Sequence, residues 1–139
     1  MTKKQSRIFQ FKIKLCGIKP IIWRRVLVLS SDTFQDFHHT IQNAMGWYNC
    51  HLHEFTILNP STGAKERLGH YFDDDWGDSE VEDESTKSLD QYFSMDNKKA
   101  RYVYDFGDDW EHEISLEKIL EENKNQEYPQ CLAGERACP

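Results

Sequence analysis

Residues 110–117 alternate without a break: Trp110, His112, Ile114 and Leu116 on one side, Glu111, Glu113, Ser115 and Glu117 on the other. Successive side chains of a strand point to opposite faces, so such a segment buries its apolar set as one side of a sheet. The same pattern recurs at 8–15, where Phe9, Phe11, Ile13 and Leu15 alternate with Gln10, Lys12 and Lys14. Gly17 and Pro20 break that run. Residues 21–29 are apolar and β-branched and read as a second, more buried strand, paired with the first as a hairpin through 16–20.

A helix follows. Ser31, Asp32 and Thr33 are N-cap residues. Phe34, Phe37, His38, Ile41 and Met45 then make one apolar stripe, and Gly46 is a C-terminal stop. Residues 52–58 read as a third strand, 59–63 as a turn and about 65–71 as a short return strand. A short helix is expected near 88–93. Residues 100–106 form a strand that turns through 107–109 into 110–117. Beyond Leu120 the chain is polar, and 128–139 has no periodicity. These patterns predict an α+β class: a mainly antiparallel sheet packed with one principal helix (about 33–45) and short additional helices. A length of 139 residues suits a single domain over 1–139.

With 38% hydrophobic and 13% aromatic residues, the chain is too apolar for a disordered one. No apolar run is long enough for a transmembrane helix, and no apolar core of a signal peptide follows Met1. The reading is cytoplasmic, with no membrane partner. Net charge is −7, and residues 73–84 hold eight acids with no Lys or Arg, which leaves 16 acids against 17 bases elsewhere. This segment reads as a solvated acidic loop, the most mobile internal stretch; a cation-binding loop or a polyanion mimic stay open. It is no EF-hand, because Asp78 stands where that loop needs glycine. Cysteines stand at 16, 50, 131 and 138. In a cytosolic chain they are expected as thiols, with Cys16 buried and Cys131 and Cys138 free or metal-bound.

Four blocks then stand together. They are Gly17-Ile18-Lys19-Pro20-Ile21-Ile22-Trp23-Arg24-Arg25; Met45-Gly46-Trp47 with His51-Leu52-His53-Glu54-Phe55; the run from Tyr102 to His112; and the run from Cys131 to Pro139. In these the chain resembles the plasmid ORF-3-like family, named after the third open reading frame of a root-inducing plasmid. The resemblance implies a compact α+β domain of mobile-element origin with no established activity. It also implies an acidic, glycine-rich stretch and a helical tail beyond the last block, which a chain stopping at Pro139 lacks.

The chemistry-bearing cluster is His51, His53, Asp105, Asp108 and His112, with Asp109 beside it. Imidazole and carboxylate together suit a divalent metal such as zinc, manganese or iron. The competing reading is structural, since Gly107-Asp108-Asp109 are turn residues in their own right. His38, on the helix stripe, reads as a satisfied core histidine. His112 should be substantially buried with a hydrogen-bond partner, Asp105 and Asp108 being the nearest candidates. There is no Gly-x-Ser-x-Gly elbow, Walker A loop or dinucleotide fingerprint. Arg24 and Arg25 read as one exposed side chain and one paired with a carboxylate. The first 25 residues carry eight Lys and Arg, the one signal for a nucleic-acid partner, though the same patch could dock the acidic loop. Two functions stay open: a binding or interaction module, and a metal-dependent hydrolase or nuclease-like enzyme.

Overall fold

The computed structural model describes residues 7–47, 52–69, 81–105 and 109–135. In chain order these form β1 (Arg7–Leu15), β2 (Ile22–Leu29), α1 (Phe34–Met45), β3 (His53–Leu58), β4 (Lys65–Gly69) and β5 (Val81–Asp83). Two 3-10 turns follow, Glu84–Thr86 and Leu89–Gln91, then β6 (Lys99–Tyr104), β7 (Trp110–Glu121) and β8 (Gln130–Glu135). All eight strands lie in one sheet, ordered β5-β4-β3-β6-β7-β1-β2-β8. Only the β4–β5 pair is parallel, so the sheet is mixed.

This corrects the α+β expectation. Most of the described chain is strand, and α1 is the single α-helix among the described residues. Residues 88–93 give one 3-10 turn, not a helix. Three residues cannot offset the cost of nucleating an α-helix, and the tighter turn needs fewer fixed dihedrals. The polar end of the chain supplies strand instead. β7 runs on to Glu121, and β8 pairs with β2. An edge strand with largely exposed side chains is held by its backbone ladder, so it leaves no alternation to read.

The expected hairpins form. β1 pairs with β2 from Ile8↔Leu29 to Leu15↔Ile22, β3 with β4, and β6 with β7. Thr33 caps α1 in a capping box with Asp36, and Gly46 ends it at φ 79°. The helix stripe Phe34, Phe37, His38, Ile41 and Met45 is buried against one sheet face. There it meets Phe9, Phe11, Ile13 and Leu15 of β1, Phe55 of β3 and Ile114 and Leu116 of β7. Aromatic rings knit the layer, with Phe11 to Phe37 and Phe11 to Phe93 both at 4.7 Å between centroids. Arg24 turns inward and donates from Nε to the Ala44 carbonyl at 2.8 Å, a cation on the last turn of α1. Arg25 turns outward and makes a two-pronged contact with Glu117 at 2.7 and 3.0 Å.

The opposite face of the sheet is polar. It carries the exposed pairs Lys99–Glu113 and Arg101–Glu111 and the part-buried pair Arg67–Glu54. Cys16 is half-buried rather than buried, and it and Cys131 are free thiols; Cys50 and Cys138 lie outside the described residues. No described helix is long and apolar enough to cross a membrane.

Candidate functional site

Alternation along three adjacent strands aims His53, Tyr102 and His112 at the helix. His53 is opposite Tyr104, and Tyr102 is opposite both Phe55 and His112. From α1, His38 and Gln42 reach the same place, because residues four apart share a helix face. The sixth participant is Glu84, just after β5. His38, Gln42, His53, Glu84, Tyr102 and His112 are all buried, Glu84, Tyr102 and His112 completely.

The hydrogen bonds form a directed chain. Gln42 donates from Nε2 to the Tyr102 hydroxyl at 2.9 Å. The hydroxyl has one proton of its own and gives it to His38 Nδ1 at 2.7 Å. Burial pushes the Tyr102 phenol well above its ordinary value, so that proton stays in place. The His38 ring lies flat on His53, with centroids 3.4 Å apart and planes 7° from parallel. His53 Nε2 meets Glu84 Oε1 at 2.7 Å.

His112 stands on the other side of Tyr102, its ring 5.2 Å from the phenol ring, while His53 is 5.9 Å from that ring. Tyr102 therefore separates the two histidines. The Nδ1 of His112 donates to the Tyr102 carbonyl at 3.2 Å, a backbone partner in place of the expected carboxylate. Burial pulls the imidazole down to about 4, against the carbonyls of Tyr102 and Trp110, which favour its charged form. The ring is neutral near pH 7, and Nε2 is a bare acceptor. Among the described residues, three buried side-chain polar atoms have no partner: His112 Nε2, Glu84 Oε2 and Trp47 Nε1. Trp47 packs on Tyr104 and Trp110 at 5.5 and 5.7 Å, closing the end of the core beside this cluster.

Of the residues singled out from sequence, His53 and His112 are in this buried layer. Asp105 is half-buried at φ 63°, its N–H donating to the Leu52 carbonyl and its own carbonyl accepting from Asp109 at 2.6 Å. It is a turn residue here. His51 and Asp108 lie outside the described residues. Among the described residues no three His, Cys, Asp or Glu side chains converge as a metal site. His38 is the satisfied core histidine expected. Residues 73–80 of the acidic segment lie outside the described residues; Val81–Asp83 is strand with Glu82 and Asp83 exposed, and only its last acid, Glu84, is fully buried.

Sequence reasoning missed Glu84, Gln42 and Tyr102. Glu84 has no signal, being one acid among eight. Tyr102 does have one: it lies in phase with Ala100 and Tyr104, and a core tyrosine needs a hydroxyl partner, which His38 and Gln42 on the helix stripe supply.

Comparison with known proteins adds kinship without activity. The family model of the plasmid pRiA4b ORF-3-like protein matches residues 7–139. An uncharacterized protein of Sinorhizobium fredii is 32% identical over 134 residues. That match covers 96% of this chain and 65% of the relative, so the chain spans about two-thirds of its length. A crystal structure of a protein of unknown function from Methanosarcina mazei Go1 is similar at TM-score 0.90 and 40% identity, over 98% of this chain and 73% of that one.

Proposed function

Because the chain belongs to the plasmid pRiA4b ORF-3-like family, whose relatives above bring no assigned chemistry, we propose from its own residues that it is a binding or interaction module. One observation carries this reading. His53 and Glu84, the imidazole–carboxylate pair inside the core, hold each other at 2.7 Å under almost complete burial. A pair so engaged braces β3 against the segment after β5, and a substrate would have to open the core to reach it. The continuous sheet from β5 to β8 supports reading 1–139 as one domain. The plasmid namesake supports a mobile-element origin.

A metal-dependent hydrolase is the second reading, and it has its own observation. His112 Nε2 is bare while Nδ1 is oriented by a carbonyl, the arrangement in which a ligating histidine is held. Elemental analysis of the purified full chain separates the two. The binding reading expects no stoichiometric divalent metal. One equivalent of zinc or manganese, lost in His112→Gln or His53→Gln with folding intact, would favour the hydrolase reading instead.

A further inference from the structure

The face of the sheet turned away from α1 concentrates positive charge on an acidic chain. Cross-strand register places Arg67, Arg101 and Lys14 on one rung, with Thr56, Glu113 and Trp23 between and beyond them. The next rung holds Lys65, Lys99, Lys12 and Arg25. Across these two rungs the acids are Glu113 and, at the β8 end, Glu135; Glu54, Glu111 and Glu117 reach in from the flanks to pair with Arg67, Arg101 and Arg25. Seven cations thus meet five acids, a local excess of positive charge on a protein whose formal charge is −7.

One end of this belt is concave. A groove of about 660 Å³ is bordered by Lys65, Lys99 and Arg101, with Thr56 and Leu58 of β3 between them and Glu113 as the one acid in its lining. Leu58 is 38% exposed, an apolar side chain presented among cations. Lys65 has no ion-pair partner among the described residues, and Lys99 reaches Glu113 only at 3.5 Å with 68% of its side chain exposed. Strands two apart lie about 10 Å from each other, so the cations of β4 and β6 stand roughly that far apart across β3.

We propose that this groove docks an acidic polypeptide segment in extended form, its carboxylates on Lys65, Lys99 and Arg101 and an apolar side chain on Leu58. Charge complementarity sets the sign of the partner, and Leu58 sets its mixed character. Nucleic acid fits less well. Single strands are held on aromatic platforms as well as cations, and the groove has no aromatic residue in its lining. Trp23, at the far end of the belt, already has Lys12 and Arg25 over its ring at 5.2 and 5.0 Å.

The proposal rests on the binding reading, and the two fail separately: metal content tests the core histidines, and peptide titration tests this surface. Anisotropy with a labelled peptide of alternating glutamate and leucine, in low salt, is the direct experiment. The full chain is expected to bind it saturably. Lys65→Glu with Lys99→Glu, at exposed positions that leave the melting curve unchanged, should weaken binding by at least about tenfold, while Lys124→Glu on the distal turn leaves it unchanged. Absence of saturable binding, or equal loss in both variants, overturns the proposal. So does tighter binding of a single-stranded thymidine oligonucleotide at the same salt, which would assign the belt to nucleic acid.

Discussion

A neutral imidazole sealed in apolar surroundings makes His112 a source of acid sensitivity. Its folded-state value of about 4 lies below the 6.5 of an unconstrained histidine. Between those two values the unfolded chain binds a proton that the folded chain refuses, so stability is complete above pH 6.5 and falls as pH drops towards 4. The shift corresponds to roughly 3 kcal/mol across that window. Asp32 works the other way. Burial, then Asp36, raises it to about 6, which favours the folded state at low pH and masks part of the slope. The difference between wild type and His112→Gln isolates the histidine. Urea melts should show wild type losing ground to the variant from pH 6.5 to 4.5, and a flat difference would mean His112 is not held neutral. The burial of this residue was readable in the sequence, since strict alternation put it with Trp110, Ile114 and Leu116. Its partner was not, because a backbone carbonyl from a neighbouring strand leaves no mark in side-chain identity. Glu84 was illegible for a related reason: its burial is set by where β5 ends, not by its neighbours in sequence.

The edge strand β8 shows what an element can demand of a single residue. Gly134 lies opposite Arg24, and a Cβ there would meet Arg24 Cδ at 2.6 Å and the Trp23 carbonyl oxygen at 3.0 Å. That Arg24 side chain is the one bound to the last turn of α1. Gly134→Ala therefore has to displace either the guanidinium from the helix or β8 from β2. Thermal unfolding should show a loss of about 1–2 kcal/mol. Arg24→Ala made first should shrink that loss, because the clash partner is gone; full additivity of the two changes would refute the coupling. Elements with one buried face announced themselves: β1, β7 and the stripe of α1 follow strict periods, and Thr33 and Gly46 bound the helix as their chemistry predicts. β8 stayed hidden because its side chains are mostly exposed, and the 3-10 turns because three residues carry no period.

For the molecule as a whole, sequence patterning settled which faces are apolar but not the order in which strands lie. Nothing in residues 8–15 says that their second neighbour is about a hundred positions away, yet β1 sits between β2 and β7, with Arg7 opposite Glu121 and Leu15 opposite His112. Ladders of such wide separation form late, because the chain between them must first be ordered. That arrangement fixes a timetable for synthesis. A chain emerging from the ribosome presents Phe9, Phe11, Ile13 and Val26 long before their partners exist, and the hairpin they can make alone is marginal in water. Nascent chains arrested with about 105 residues outside the exit tunnel should remain protease-sensitive and hold chaperones, and those displaying residues through Glu121 should become resistant abruptly. Early, gradual resistance would mean that the N-terminal half matures unaided. The protein is thus born as a long debt of exposed strand, discharged within the dozen residues that make β7.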